Sequence, residues 1–371
     1  MAYSRRSFLQ LLAAGAAAGC AARSTAPLVR GASPAAATTA PAVKPLRILI
    51  LGGTGFIGPV LVRLARARGH TITLFNRGKT NPHLFPDVET ILGDRRTDID
   101  RLKGRDWDAV IDTWVMLPAS VRAAAELLRD RIGHYLFIST ISVYRLGREP
   151  IDENSPLLTV APERLAKPSP EDYGGLKALA ERAAEEAMPG RATSLRAGVI
   201  VGAGDPSGRF VYWPRRLERG GDVLVPAGAD GRMQLIDVRD LAQFTLRAIE
   251  DRAFGSFNVV GPADPTLGSV LGAIDGAVGH SANLVYADRA WMNAQDAGGW
   301  NDFPLVVAND DEQAGFGHVS AARAIARGLT FHPVADTATS ALAWWKENGR
   351  PPGPGISPER EAELLSRWRA R

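Results

Sequence analysis

Apolar residues come along this chain in short runs separated by helical and turn patterns. Arg47-Ile48-Leu49-Ile50-Leu51 is continuous and apolar after its first residue, the pattern of a strand buried on both faces. Gly52-Gly53-Thr54-Gly55-Phe56-Ile57-Gly58 follows at once, and Val60, Leu61, Leu64 and Ala65 then keep helical spacing up to Gly69. Residues 71–75 read as a second strand. A strand, a glycine-rich turn, a helix and a strand within about thirty residues make the first βαβ unit of a doubly wound sheet.

The alternation continues. Strands are predicted over 90–92, 109–112, 135–138 and 193–201, and helices over 119–128 and 173–187, the latter ending before Pro189-Gly190. Strands alternating with helices predict an α/β fold with a doubly wound parallel sheet of Rossmann type. Beyond Gly202 the pattern loosens into loops rich in Gly, Pro and Trp, with a helix over 238–249. Residues 46–203 are therefore assigned to the sheet domain. Residues 204–348 are assigned to a smaller C-terminal substrate lobe partly interleaved with it, and 349–371 to a charged tail with a surface helix.

The first residues follow a different pattern. Ser4-Arg5-Arg6-Ser7-Phe8-Leu9-Gln10 precedes an uncharged apolar stretch up to Ala22, the layout of an export signal, and the paired arginines resemble the twin-arginine type. Ala17-Ala18-Gly19-Cys20 resembles a lipobox with Ala17 in place of the usual Leu, which would make Cys20 a lipid anchor; a signal without acylation is the alternative. Residues 23–45, rich in Ala, Thr and Pro, read as a flexible linker. The expectation is export to the periplasm or the outer membrane face, or a cytoplasmic protein if the leader does not function. Twin-arginine export carries folded proteins, which suits a chain that must acquire its cofactor in the cytoplasm.

Composition narrows the chemistry. The 371 residues are 45% apolar and 23% charged, a folded composition. A net charge of +4 from 44 basic and 40 acidic residues leaves no basic footprint for nucleic acid. Cys20 is the one cysteine and lies in the leader, which excludes a disulfide framework, a cysteine-ligated zinc site and a thiol nucleophile from the folded part. The six histidines are scattered without metal-motif spacing, so no metal is expected.

The glycine turn has a physical logic. Gly52, Gly55 and Gly58 let the backbone approach a pyrophosphate, and the free N–H groups of the helix start at Phe56, Ile57 and Gly58 face that anion. This predicts a bound dinucleotide. A carboxylate at the end of the second strand would select NAD; Asn76 stands there, followed by Arg77 and Lys79, which favours NADP slightly. The alternative for Arg77 and Lys79 is a solvated turn. Asp94, after the third strand, is placed for the adenine amino group or for an exposed turn.

Tyr173 and Lys177 are four apart and share a helix face. A lysine ammonium beside a tyrosine favours the phenolate, and the same lysine can donate to a ribose. Tyr173 is then a candidate proton acceptor during hydride transfer, with the Thr140 hydroxyl, at the end of the fifth strand, on the same substrate oxygen. In the lobe, the run from Arg209 to Arg216 sets Arg209, Tyr212 and Trp213 side by side, suited to a sugar ring or a planar anion; Arg232 is a further candidate for substrate contact, and core packing is the alternative for each.

These pieces together resemble the extended short-chain dehydrogenase/reductase superfamily, in its NAD-dependent epimerase/dehydratase group, over about residues 46–345. The matching segments are the glycine turn, Thr140-Ile141-Ser142-Val143-Tyr144, Asp152-Glu153-Asn154-Ser155-Pro156, Tyr173-Gly174-Gly175-Leu176-Lys177 and Gln234-Leu235-Ile236-Asp237-Val238-Arg239-Asp240. The resemblance implies that Thr140, Tyr173 and Lys177 are a catalytic triad and that the chain forms a homodimer through a helix pair. Departures bear on the substrate. Ile141 and Ser142 replace the Asp-Glu of the dehydratases. Val199 replaces an Asn frequent in nucleotide-sugar epimerases, and Met233 an Arg, with Arg232 displaced by one. The expected activity is epimerisation or oxidation at a sugar-like hydroxyl on tightly held NAD(P). A net dehydrogenase or reductase of a small carbonyl compound, and a non-catalytic dinucleotide-binding protein, are the alternatives.

Overall fold

The computed structural model describes residues 44–113, 117–165, 167–307, 312–349 and 353–371. The predicted leader and lipobox, and the linker as far as residue 43, lie outside the described residues. Seven strands form the central sheet: β1 (Arg47–Leu51), β2 (Thr71–Asn76), β3 (Glu89–Leu92), β4 (Ala109–Asp112), β5 (His134–Thr140), β6 (Ala192–Ala197) and β10 (Gly255–Val259). Their order is β10-β6-β5-β4-β1-β2-β3, and each neighbouring pair is parallel. The order reverses between β1 and β4, so a topological switch point, where such sheets bind ligands, lies at the C-terminal ends of these two strands.

The apolar run of β1 alternates between two cores. Ile48 and Ile50 pack with Leu61, Val62, Leu136 and Ile138, while Leu49 and Leu51 pack with Val110, Val121, Leu128 and Phe137. Helices α1 (Ile57–Ala67) and α5 (Val238–Glu250) cover the first face. Helices α2 (Pro118–Leu128) and α3 (Tyr173–Ala187) cover the second. The central strands of a sheet covered this way have no wet face, which is why β1 and β4 read as continuous apolar runs, whereas the edge strand β3 is largely exposed.

Two elements differ from the sequence expectation. The predicted strand 193–201 is two strands. At Gly198 the chain leaves the sheet, and β7 (Val199–Val201) pairs instead with β9 (Leu235–Asp237). A Cβ at Gly198 would stand 2.8 Å from Val260 Cγ1, so the crossing passes close under the segment that follows β10. The charged tail is also not a free surface helix. α8 (Pro358–Arg369), capped by the Ser357 hydroxyl, buries Glu361, Leu364 and Leu365. Glu361 accepts from Arg216 Nε at 2.6 Å and from the Leu224 amide at 3.1 Å.

The lobe is built around α4 (Tyr212–Glu218), α6 (Leu267–Val278), α7 (Val334–Glu347) and the parallel pair β8 (Gly221–Val225) with β11 (Ala282–Tyr286). It shares its core with the first face of the sheet, and it returns the chain to the sheet as β10. Among the described residues, no helix is long and apolar enough to cross a membrane.

Candidate active site

The glycine turn leaves β1 at the switch point. Gly52 and Gly53 have φ of +122° and +97°, conformations that favour glycine. The close packing there involves three of the glycines. A Cβ on Gly52 would stand 2.3 Å from Thr113 Oγ1, one on Gly53 2.5 Å from Leu74 Cδ2, and one on Gly58 2.4 Å from the Gly53 carbonyl carbon. Gly55 is different: no protein atom lies within 4 Å of its Cβ position, so its side of the turn opens onto free space. α1 starts there with no side-chain cap and no acidic residue in its first turn. Open space over uncapped N–H groups fits the pyrophosphate of a dinucleotide. Gly53 and Thr113 belong to this construction and were missed by sequence reasoning. The positive φ of Gly53 was hidden in a Gly-Gly pair, and Thr113 only becomes a neighbour of Gly52 through the β1–β4 pairing.

Asn76 ends β2 with its amide engaged on both sides. Its Nδ2 donates to the Gly52 carbonyl at 3.1 Å, and its Oδ1 accepts from the Gly78 amide at 2.8 Å. It holds the glycine turn against the β2 turn. Arg77 and Lys79 are exposed. Asp94 is tied to Arg96 through Nε at 3.1 Å and Nη2 at 2.9 Å. Those bonds, with the Arg96 amide and the charge of Arg77, hold its carboxyl well below the usual carboxylate range. Arg77 and Asp94 thus come together at the edge beside β2 and β3.

Thr140 and Tyr173 meet at the C-terminal end of β5, within reach of the charge of Arg209. The Thr140 hydroxyl accepts from the Ser142 amide at 3.1 Å and lies 3.2 Å from the Ser142 hydroxyl, turning the chain out of the strand. Tyr173 opens α3. Burial pushes its phenol up to about 12, against a hydrogen bond with Thr140 and the charge of Arg209, both of which favour the phenolate. Gly174 and Gly175 make the approach of α3 feasible. A Cβ at Gly174 would meet the Ser142 carbonyl oxygen at 2.0 Å, and one at Gly175 would meet Val160 Cγ2 at 2.5 Å. The glycine pair inside the Tyr-to-Lys motif was the available signal for this contact.

Lys177 lies one turn further along and is buried. Its ammonium donates to the Ile138 carbonyl of β5 at 2.6 Å and sits 3.9 Å from the centre of the Phe137 ring. Burial brings it down to about 7, although Asp112 and Glu181 pull it up. Helical spacing predicts this ammonium beside the Tyr173 phenol. In the structure the charge acting on the phenol is that of Arg209. Asp112, at the end of β4, belongs to a buried set with Arg95 and Tyr135, in which Arg95 Nη2 reaches Asp112 Oδ2 at 2.8 Å.

The lobe candidates separate. The charge of Arg209 reaches the Tyr173 phenol. Trp213 has no exposed surface, and its indole N–H donates to the Pro304 carbonyl at 2.7 Å, so it is a core residue and cannot contact a substrate. Tyr212 is buried edge-on against Trp213, and the charges that reach its phenol are those of Glu361, Arg216, Arg219 and Asp302 in the lobe and tail. Arg232 pairs through its backbone with Val307 and donates from Nη1 to the Asp264 carbonyl at 3.1 Å; its partners lie within the lobe. Among the described residues there is no His, Cys, Asp and Glu cluster able to hold a metal ion.

Comparison with known proteins agrees with this architecture. The model of the NAD dependent epimerase/dehydratase family matches residues 48–122 and 106–260. Epimerase family protein SDR39U1 of Bos taurus is 28% identical over 256 residues, spanning 61% of this chain and 81% of that protein. The chloroplast stem-loop binding protein of 41 kDa b of Arabidopsis thaliana is 27% identical over 237 residues, 58% of each chain. Among solved structures, the Bordetella bronchiseptica enzyme WbmH in complex with NAD+ superposes with a TM-score of 0.60 at 18% identity, covering 82% of this chain and all of that one (100%). Human SDR39U1 with NADPH superposes with a TM-score of 0.53 at 22% identity, covering 79% and 99%. The seven-stranded sheet, the glycine turn at its switch point and the match over residues 48–260 lead to one assignment: the chain belongs to the NAD dependent epimerase/dehydratase family.

Proposed function

We propose that this protein is an NAD(P)-dependent enzyme that oxidises or epimerises a sugar-like hydroxyl, with Tyr173 as the proton-transfer group. The observation that carries the reading is the meeting of the Tyr173 phenol with the Thr140 hydroxyl at the C-terminal end of β5, on the same edge of the sheet as the open glycine turn. A nicotinamide dinucleotide, when bound, supplies the hydride acceptor and donor. Gly52, Gly53, Gly55 and the first amides of α1 would hold its pyrophosphate. Arg77 and Lys79, exposed beside Asn76 with no carboxylate on that residue, suit a ribose 2′-phosphate, which favours NADP; the names of the similar structures include both NAD+ and NADPH.

Tyr173 takes the proton of the substrate hydroxyl on oxidation and returns it on reduction. Thr140 orients the phenol and the reacting oxygen together. Arg209 favours the phenolate through its charge. Lys177 keeps the start of α3 docked on β5 through the Ile138 carbonyl. A redox-neutral epimerisation consumes no dinucleotide, which suits the export expected from the leader at Arg5 and Arg6. A net reductase is the runner-up and would need nucleotide exchange. The similarity to a plant stem-loop binding protein favours, as a further reading, nucleic-acid binding on the same fold.

The test mixes protein loaded with oxidised nucleotide with a panel of aldoses, uronic acids and small alcohols, and follows absorbance at the reduced-nucleotide band. A transient rise that decays as the epimer appears supports the epimerase, and a lasting rise supports the dehydrogenase. No rise with any compound, together with binding to a structured RNA hairpin, would replace both with the nucleic-acid reading.

A further inference from the structure

The loop after β7 carries a buried guanidinium, Arg209, whose acidic neighbour Asp205 acts on it through charge and makes no direct ion pair with it. Asp205 begins the loop, its amide bonded to the Gly202 carbonyl at 3.2 Å. The Asp205 carboxylate turns back on Ser207, accepting from its amide at 2.9 Å and from its hydroxyl at 2.8 Å. The same Ser207 hydroxyl accepts from Arg209 Nε at 3.0 Å. Ser207 therefore stands between acid and base. It fixes the Nε side of the guanidinium and spends the Asp205 oxygens elsewhere. Arg209 Nη1 is left buried with no hydrogen-bond partner. Among the described residues no carboxylate lies within 4.0 Å of this guanidinium, unlike the buried Arg95, Arg196 and Arg216, each of which has one.

A buried donor without an acceptor is costly, most of all on a charged group. The loop is also placed for the chemistry. Gly204 approaches the Phe56 ring at the start of α1, where its Cβ would be 3.5 Å from Phe56 Cδ2. At the other end Gly208 packs on the backbone of Gly353, where its Cβ would be 2.8 Å from Gly353 Cα. Arg209 is thus held between the glycine turn and the tail, with its charge on the Tyr173 phenol.

We infer that Arg209 is the anchor for a carboxylate on the substrate, carried by the same molecule whose hydroxyl reacts at Tyr173. A guanidinium offers two parallel N–H donors that match the two oxygens of a carboxylate. One guanidinium with an acidic neighbour balances a monoanion better than the double charge of a phosphate monoester. The class of substrate is then a hydroxy acid, such as a sugar acid, rather than a neutral sugar or a sugar phosphate. This rests on the reading of Tyr173 as the reacting centre.

The test uses the full chain saturated with NADPH and three ligands that share one ring: D-glucuronate, D-glucose and D-glucose 6-phosphate. The fluorescence of bound NADPH reports their binding. The expected result is a Kd for glucuronate at least about tenfold below that of the other two, from the loss of one charge-assisted contact. Arg209→Gln is expected to remove that preference while the NADPH titration stays as in the wild type. Arg209→Lys, which keeps the charge without the planar fork, is expected to bind glucuronate more weakly yet still ahead of glucose, and decides the matter if Arg209→Gln does not fold. Equal response to all three ligands, no response to any, tighter binding of glucose 6-phosphate, or an unchanged preference in Arg209→Gln would overturn the inference. Failure of NADPH to bind sinks the dinucleotide reading instead. The three ligands are then compared on the nucleotide-free chain through tryptophan fluorescence, where the same preference sustains the anion site and its absence overturns it.

Discussion

The Tyr173 phenol stands where two opposing effects meet. Burial holds its proton, and Thr140 and Arg209 draw it away. Tyr173→Phe removes the proton-transfer oxygen and little else, so turnover is expected to fall by about 10²–10⁴-fold with nucleotide affinity unchanged; equal turnover in the variant would contradict the role. Lys177 makes a second prediction through its own burial. Its ammonium titrates near 7 in the folded chain against 10.5 for the free side chain. Between those values the unfolded chain binds more protons, so the stability contributed by this site rises as pH rises through the window. The stability of the wild type relative to Lys177→Met, measured by urea unfolding, is expected to increase from pH 7 to pH 9, and a constant difference would contradict it. The motif holding Tyr173 and Lys177 was legible from its spacing together with its place after the fifth strand of an α/β chain. The destination of the lysine at the Ile138 carbonyl was not, because helical spacing gives the shared face of α3 and says nothing of which strand lies beneath it.

The glycine turn separates two demands that a sequence motif merges. At Gly58 an added methyl meets the Gly53 backbone at 2.4 Å, which cannot move aside like a flexible side chain. Gly58→Ala is expected to lower stability by about 1–3 kcal/mol, as overpacking does. At Gly55 an added methyl meets nothing in the protein. Gly55→Ala is expected to melt with the wild type and to bind nucleotide several-fold more weakly. Paired melting curves and nucleotide titrations check both; a destabilised Gly55→Ala or a fully stable Gly58→Ala would contradict the division. The alternation of strand and helix was readable because both faces of the sheet are covered. The break at Gly198 was not, since the polar residues of 193–201, Thr193, Ser194 and Arg196, all precede it and are buried, Arg196 against Glu181 at 2.8 Å.

Taken whole, the molecule is closed by its last helix. Glu361 bridges Arg216 of α4 and the Leu224 amide of β8. Removing one partner of a buried ion pair leaves the other charge without compensation. Glu361→Leu is expected to cost about 3–5 kcal/mol, read as a lower urea midpoint, and an unchanged midpoint would mean the tail is not part of the folded unit. Sequence reading placed this helix on the surface because Arg and Glu dominate it. Its buried stripe is only Glu361, Leu364 and Leu365, and the partner of Glu361 is 145 residues away. Trp213 was misjudged for a related reason: aromatic residues beside arginines look alike on a binding face and in a core, and only the bond to Pro304 decides.

A nicotinamide dinucleotide is expected to occupy the space over Gly55. The most direct measurement is a fluorescence titration of NADPH and NADH into the wild type and into Gly55→Val, with melting temperatures taken in parallel. Saturation is expected at one nucleotide per wild-type chain, with NADPH the tighter of the two. Binding is expected to be lost in a Gly55→Val chain that melts as the wild type does. No saturable binding to the wild type, or equal binding by the variant, would contradict it.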